Sequence, residues 1–175
     1  MGRCDFGLPP GFGIGEVLVG DDRHEAGRAA ARAALIEVGS SGTLDYDGTR
    51  PIIVDDDLRI SITHGRRRAF AIVGRAARLG IDLADEDKRL PALAERYFAT
   101  EHAFAQSPLE LACCLAAKEA GLKALGLGLL DGDMFDDCVV HVTSLAPPRI
   151  RCTLAKLELV VRIVPEGALA IAFER

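Results

Sequence analysis

The sequence predicts an α+β fold, two similar halves side by side, each with a long helix packed on an antiparallel strand meander. Three observations lead there. Residues 22–38 and Leu109 to Leu125 read as long helices. Short apolar runs bounded by Gly, Pro and charged turns follow each of them. The order helix, strands, helix, strands makes two matching halves, although no sequence repeat is evident. The 175 residues suit one domain, 1–175, divided into halves of about 1–88 and 89–175.

Residues 1–20 are rich in Gly and Pro, with a strand expected at Glu16 to Val19. DRHEAGRAAARAALIEV, 22–38, can be capped by Asp22 and ended by Gly39, with Ala and Leu on one face. Residues 39–51 carry Gly, Ser and Asp and read as a loop. Three strands are expected next, at Arg59 to Thr63, Ala69 to Val73 and Arg78 to Leu83, the first two joined as a hairpin by GRRR. Residues 91–106 read as helical with a break near Thr100. Leu109 to Leu125 has no internal Pro and one internal Gly, Gly121. After a turn at Asp131-Gly132, strands are expected at Cys138 to Thr143, Lys156 to Val164 and Ala168 to Phe173. Pro147-Pro148 and the Glu166-Gly167 turn separate them.

Composition narrows the function classes. The chain is 49% hydrophobic with no Trp, so the core is built from Leu, Ile, Val and Ala. A net charge of −5 argues against a generic nucleic-acid binder. Local basic sites persist at Arg23, Arg28 and Arg32 and at Arg66 to Arg68, which suits a phosphorylated small ligand or an acidic protein partner. The five cysteines form no C-x-x-C pair, which fits a reducing cytoplasm, and Cys113 and Cys114 read as core thiols. No signal peptide or membrane-spanning run is read, so a cytoplasmic location without membrane or nucleic-acid partners is expected. Neither GFGIG at Gly11 to Gly15 nor GLGLLDG at Gly126 to Gly132 has the strand-to-helix setting of a dinucleotide fingerprint.

Several side chains stand out chemically. Glu119 and Lys123, at i and i+4, share one helix face. This spacing fits a surface ion pair, but Ala112, Ala116, Ala117, Ala120 and Ala124 narrow the helix, so a backbone or a ligand can approach closely. Asp82 interrupts the apolar run Leu79, Ile81, Leu83 and points away from Ile81 and Leu83. It reads either as a solvent-facing residue or as a ligand of a hard cation. Mg²⁺ commonly takes one or two protein carboxylates, and Asp82 with Glu119 would supply two. His64 ends a strand and can donate to a phosphate. Arg28 and Arg32 lie one turn apart, and Pro51 holds Arg50 extended.

The order of these pieces resembles the 4′-phosphopantetheinyl transferases, in their larger, pseudo-dimeric surfactin-type branch. AGRAAARAAL is similar to that branch's helix motif, and DGTRP to N-G-K-P with Arg50 in the basic position. SITHG is similar to S-I-S-H-S, with His64 matching; GIDLAD to G-I-D-I-E; and RYFATEH to R-F-F-S-x-E-E. AAKEAGLKALG is similar to W-x-x-K-E-A-x-x-K-A-x-G. The likeness covers roughly residues 23–130, with a shortened N-terminal half. Two departures stand out: Ala84 replaces the second acid, and Leu115 replaces the Trp. Asp85, next in sequence, should point to the other face of its strand.

The resemblance implies a Mg²⁺-dependent enzyme that moves phosphopantetheine from coenzyme A to a serine of an apo acyl or peptidyl carrier protein and releases 3′,5′-ADP. It implies Asp82 and Glu119 as metal ligands, with Asp82, Glu119 and Lys123 as catalytic residues. It implies Arg28, Arg32, Arg50, His64 and Lys123 as the coenzyme A contacts. The alternative is a diverged, non-catalytic homologue that binds coenzyme A or a carrier protein.

Overall fold

The structure is a computed structural model that describes residues 6–97, 99–127, 140–146, 148–152 and 156–175. The turn expected at Asp131-Gly132, and with it Cys4, Phe98, Cys138 and Pro147, lies outside the described residues. The described elements are β1 (Phe12–Leu18), α1 (Arg23–Val38), β2 (Thr43–Asp47), β3 (Arg50–Val54), β4 (Arg59–His64), β5 (Arg68–Gly74) and β6 (Arg78–Asp85). They continue with α2 (Leu90–Tyr97), α3 (Ala99–Phe104), α4 (Pro108–Ala124), β7 (Val140–Leu145), β8 (Pro148–Cys152), β9 (Glu158–Val164) and β10 (Gly167–Glu174). The chain is therefore α+β with antiparallel sheets, as the sequence predicts. No helix among the described residues is long and apolar enough to cross a membrane.

Helix boundaries follow local chemistry. Asp22 accepts from the backbone N–H groups of His24 and Glu25, and Gly39 ends α1 in the left-handed conformation at φ 70°. Ser107 accepts from the N–H of Glu110, and Pro108 occupies the first turn of α4, where a missing N–H costs nothing.

Two three-stranded sheets share one strand order. The first runs β1-β5-β4 and the second β6-β10-β9. Each also has a two-stranded companion, β2-β3 or β7-β8. β6 pairs with β10 from Asp85↔Gly167 to Arg78↔Glu174, so it opens the second sheet. The division between sheets falls between Gly74 and Arg78, not near residue 88. The sequence reading placed β6 with the strands just before it because they are close in sequence. The hydrogen-bond ladder places it with a strand some ninety residues later.

The stretch 39–51, expected as a loop, mostly forms a ribbon with the residues after it: β2 pairs β3 around Gly48 at φ 61°. Its residues are largely exposed, so no buried apolar face marks it in the sequence. β8, which begins at Pro148, was not expected either.

Alternation in the central strands builds the core. In β5, Ala69, Ala71 and Val73 face α1, while Phe70 and Ile72 face the other sheet. In β10, Ala168, Ala170 and Ala172 face α4, while Leu169, Ile171 and Phe173 face the first sheet. Small residues under the helices and large ones between the sheets give four layers: α1, sheet, sheet, α4. Each large buried side chain in the central layer contributes about 1.5–3 kcal/mol. AFAI in β5 and ALAIAF in β10 are thus structural equivalents, a repeat the sequence holds only as this short pattern.

Candidate functional site

The two sheets meet along the edges of β4 and β6, where side chains bridge them. Ser61 Oγ accepts from the N–H of Ile81 at 3.1 Å, and Thr63 Oγ1 accepts from the N–H of Leu83 at 3.2 Å. These hydroxyls satisfy N–H groups that a strand edge would otherwise leave unpaired. The alternation of Ser61 and Thr63 with Ile60 and Ile62 is the sequence signal for this seam.

Asp82 sits at the seam and is buried, so the solvent-facing reading does not hold. Gly80, Asp82 and Ala84 face α4; Leu79, Ile81 and Leu83 face the central layer. Asp82 Oδ1 takes two hydrogen bonds, one from Thr63 Oγ1 at 3.1 Å and one from Lys123 Nζ at 2.5 Å. Lys123 Nζ also donates to the carbonyl of Ile81 at 3.2 Å. Thr63 was not singled out from the sequence. Its hydroxyl accepts from one strand and donates to the acid, which only the β4–β6 contact makes possible.

Glu119 faces the same point from α4. Burial, followed by the charge of Asp82 and a hydrogen bond to it, pushes its carboxyl up to about 8; Lys123 pulls the other way. Asp82, Glu119 and Lys123 line a cleft of about 290 Å³ with Ile62, Thr63, His64 and Leu115. Leu115 thus supplies part of the apolar wall.

The small residues of α4 serve a different partner from a ligand. A Cβ on Gly80 would lie 2.0 Å from the carbonyl oxygen of Ala120, so the strand backbone itself occupies the narrow face. This close approach brings Asp82 within reach of the turn of α4 between Glu119 and Lys123.

His64 is half-buried at the end of β4 and lines both this cleft and a second one. The second cleft, about 440 Å³, is bounded by Asp21, Arg23, Gly65, Arg66 and Asp85. Asp85 indeed points away from Asp82, toward Arg66 at 3.7 Å. Arg66 is also held by Asp87, and Arg68 by Glu16 and Glu166; Arg66 and Arg67 are both exposed.

The remaining expected contacts lie farther out. Arg28 pairs with Glu25 at 2.7 Å and Arg32 pairs with it at 2.6 Å; neither lines the two clefts. Arg50, on β3, reaches the end of α4, with Nη1 3.8 Å from where a Cβ on Gly126 would stand. The structure brings Asp82, Glu119, Lys123 and His64 together and leaves Arg28 and Arg32 on the outer surface of α1.

The donor set suits a hard divalent cation in a restricted way. Among the described residues, no group of three or more His, Cys, Asp or Glu side chains forms a metal cluster. The carboxylate pair is Asp82 and Glu119, and two acids driven together at the cost of one proton are relieved by a cation between them. Mg²⁺ keeps several waters and takes phosphate oxygens, so two protein carboxylates suffice. Cys113 and Cys114 do not compete: burial pushes their thiols up to about 11 and about 12.

No protein-family model matches the chain, and no curated protein matches it.

Proposed function

We propose that the chain is a Mg²⁺-dependent 4′-phosphopantetheinyl transferase acting on an apo acyl or peptidyl carrier protein. The observation that carries this reading is the meeting of Asp82, Glu119, Lys123 and His64 in one cleft from three separate elements. Two acids, an ammonium and an imidazole suit phosphoryl transfer from coenzyme A, because that chemistry depends on positioning and charge neutralisation. The repeated sheet order and the motif order in the sequence support the corresponding fold.

Asp82 and Glu119 would hold the cation, whose contribution when bound is to neutralise charge on the coenzyme A pyrophosphate. The acceptor serine oxygen bonds the phosphorus that carries pantetheine, and the bond from that phosphorus to the oxygen of 3′,5′-ADP breaks. Glu119, ionised when it holds the cation, would take the serine proton as general base. Lys123, in the last turn of α4, meets the charge that develops on the departing 3′,5′-ADP. His64 and Arg50 hold phosphates of coenzyme A. Thr63 fixes one Asp82 oxygen, leaving the other for the cation.

One observation favours the second reading, a non-catalytic homologue that binds coenzyme A or a carrier protein. Lys123 Nζ lies directly on Asp82, and buried Ala84 stands where a third carboxylate would help a metal compete with it. Mass spectrometry of apo carrier proteins incubated with the chain, coenzyme A and Mg²⁺ separates the two. A gain of one phosphopantetheine group is expected. No gain on any of a panel of acyl and peptidyl carrier proteins, with coenzyme A binding intact by calorimetry, selects the binding homologue.

A further inference from the structure

His24 is a residue that neither the motif pattern nor the catalytic reading uses, yet its ring stands against the imidazole that both clefts share. The His24 and His64 ring centroids are 5.6 Å apart and their planes meet at 90°, an edge-to-face contact. Its geometry is built from both sides. Asp22 Oδ1 accepts from the N–H of His24 at 2.8 Å and fixes the first turn of α1. Gly27, one turn on, lets α1 lie close to β4: a Cβ there would stand 3.1 Å from Ile62 Cγ2. On the other side, Ser61 and Thr63 tie β4 to β6, so the backbone under His64 is held as well.

The ring of a histidine at a strand end turns easily about its last torsion, whose preference is broad and two-fold. An edge-to-face neighbour selects one orientation. We propose that His24 is a positioning residue that fixes the His64 ring at the neck between the two clefts, so that His64 presents its N–H to a phosphate of coenzyme A already oriented. The inference rests on the transferase reading for the identity of the ligand, and on the ring contact alone for the positioning. A pre-oriented donor loses less freedom on binding, so the effect belongs in ligand affinity rather than in turnover.

The test compares His24→Ala with His24→Phe, which keeps an aromatic edge but has no ring N–H. In His24→Ala, coenzyme A binding by calorimetry should weaken about two- to tenfold, KM for coenzyme A should rise to match, and kcat should stay within about twofold. His24→Phe should restore wild-type affinity. In ligand-free protein, the His64 ring-proton resonances should move in His24→Ala, which shows the contact without any ligand. Unmoved resonances, unchanged affinity in His24→Ala, or a His24→Phe variant as weak as His24→Ala would each overturn the proposal, the last by making His24 itself the phosphate contact. If wild-type protein does not bind coenzyme A, the transferase reading falls, and the ligand-free resonances decide the ring contact alone.

Discussion

At the first helix–strand junction, Gly15 of β1 lies under Ala30 of α1, with a would-be Cβ 1.8 Å from the Ala30 carbonyl oxygen. At the second, Gly80 of β6 lies under Ala120 of α4, at 2.0 Å. Ala34 and Ala124 stand next in the same way, so a constant shift of 90 positions relates the two helices. The polar chemistry is not shared. Two residues after the glycine comes Val17 in one half and Asp82 in the other. Glu119 and Lys123 correspond to Ala29 and Ala33, and buried Lys118 to Arg28, which is paired on the surface. A backbone arrangement can therefore recur with its packing intact while one copy alone carries the acids and the ammonium. Fold and site are separate facts about this chain.

Four experiments break or sharpen that comparison. The largest effect is expected at Lys118, whose Nζ lies 2.8 Å from Glu101 with both side chains 1% exposed. Glu101 also accepts from the N–H of Val140, which ties α3, α4 and β7 together. Lys118→Met leaves a buried acid without its counter-charge and should cost about 3–5 kcal/mol, while Lys118→Met with Glu101→Leu should recover most of it. Arg28→Met, at the matching position of α1, should cost no more than about 1 kcal/mol by urea unfolding. Similar losses in the two helices would end the claim that they differ there.

Next is turnover. Lys123→Gln should lower carrier-protein modification by about 10²- to 10³-fold with folding intact. Ala33→Gln, its exposed counterpart, should leave the rate within about twofold. An unimpaired Lys123→Gln would remove the ammonium from the mechanism.

The third experiment tests what the halves share. Gly15→Ala and Gly80→Ala should each destabilise by about 1–3 kcal/mol, because the added methyl meets backbone that cannot turn aside. Only Gly80→Ala should also lower activity, since it pushes β6, and Asp82 with it, away from α4. A neutral Gly15→Ala would mean that the two junctions are not equivalent.

The fourth experiment is a pH dependence. The Glu119 carboxyl is raised from 4.5 to about 8 in the folded chain. Between those values the folded state keeps a proton that the unfolded state releases, so stability falls as pH rises through this window. Without added metal, Tm should drop more steeply across this window in wild type than in Glu119→Gln. Excess Mg²⁺ near the top of the window should recover the difference in wild type alone. Parallel curves for the two proteins would show that Glu119 is not buried against Asp82 in solution.

Much of this was legible one element at a time. The capped helix α1, the GRRR hairpin and α4 are set by local spacing and end signals, and they fall within a residue or two of expectation. α2 ends at Tyr97 and α3 begins at Ala99, where a break was expected near Thr100. The exposed β2-β3 ribbon was missed because a strand pair with little buried face leaves no alternation to read. GFGIG was set aside as a nucleotide motif, and its Gly13 and Gly15 act instead by letting α1 lie on β1. Glu119 and Lys123 were recognisable as neighbours because helical spacing is local, whereas Thr63 and His24 were not, since each matters through a partner on another element.

The sequence by itself determined where the helices begin and end, which strands alternate, and that Asp82 interrupts an apolar run. These depend on interactions within a few residues along the chain. Tertiary structure alone decided that β6 opens the second sheet, that Asp82 is buried beside Thr63, Glu119 and Lys123, and that Arg28 and Arg32 stay outside. The physical reason is that burial and charge proximity depend on which elements pack together. Here two glycines under two alanine-faced helices set that packing.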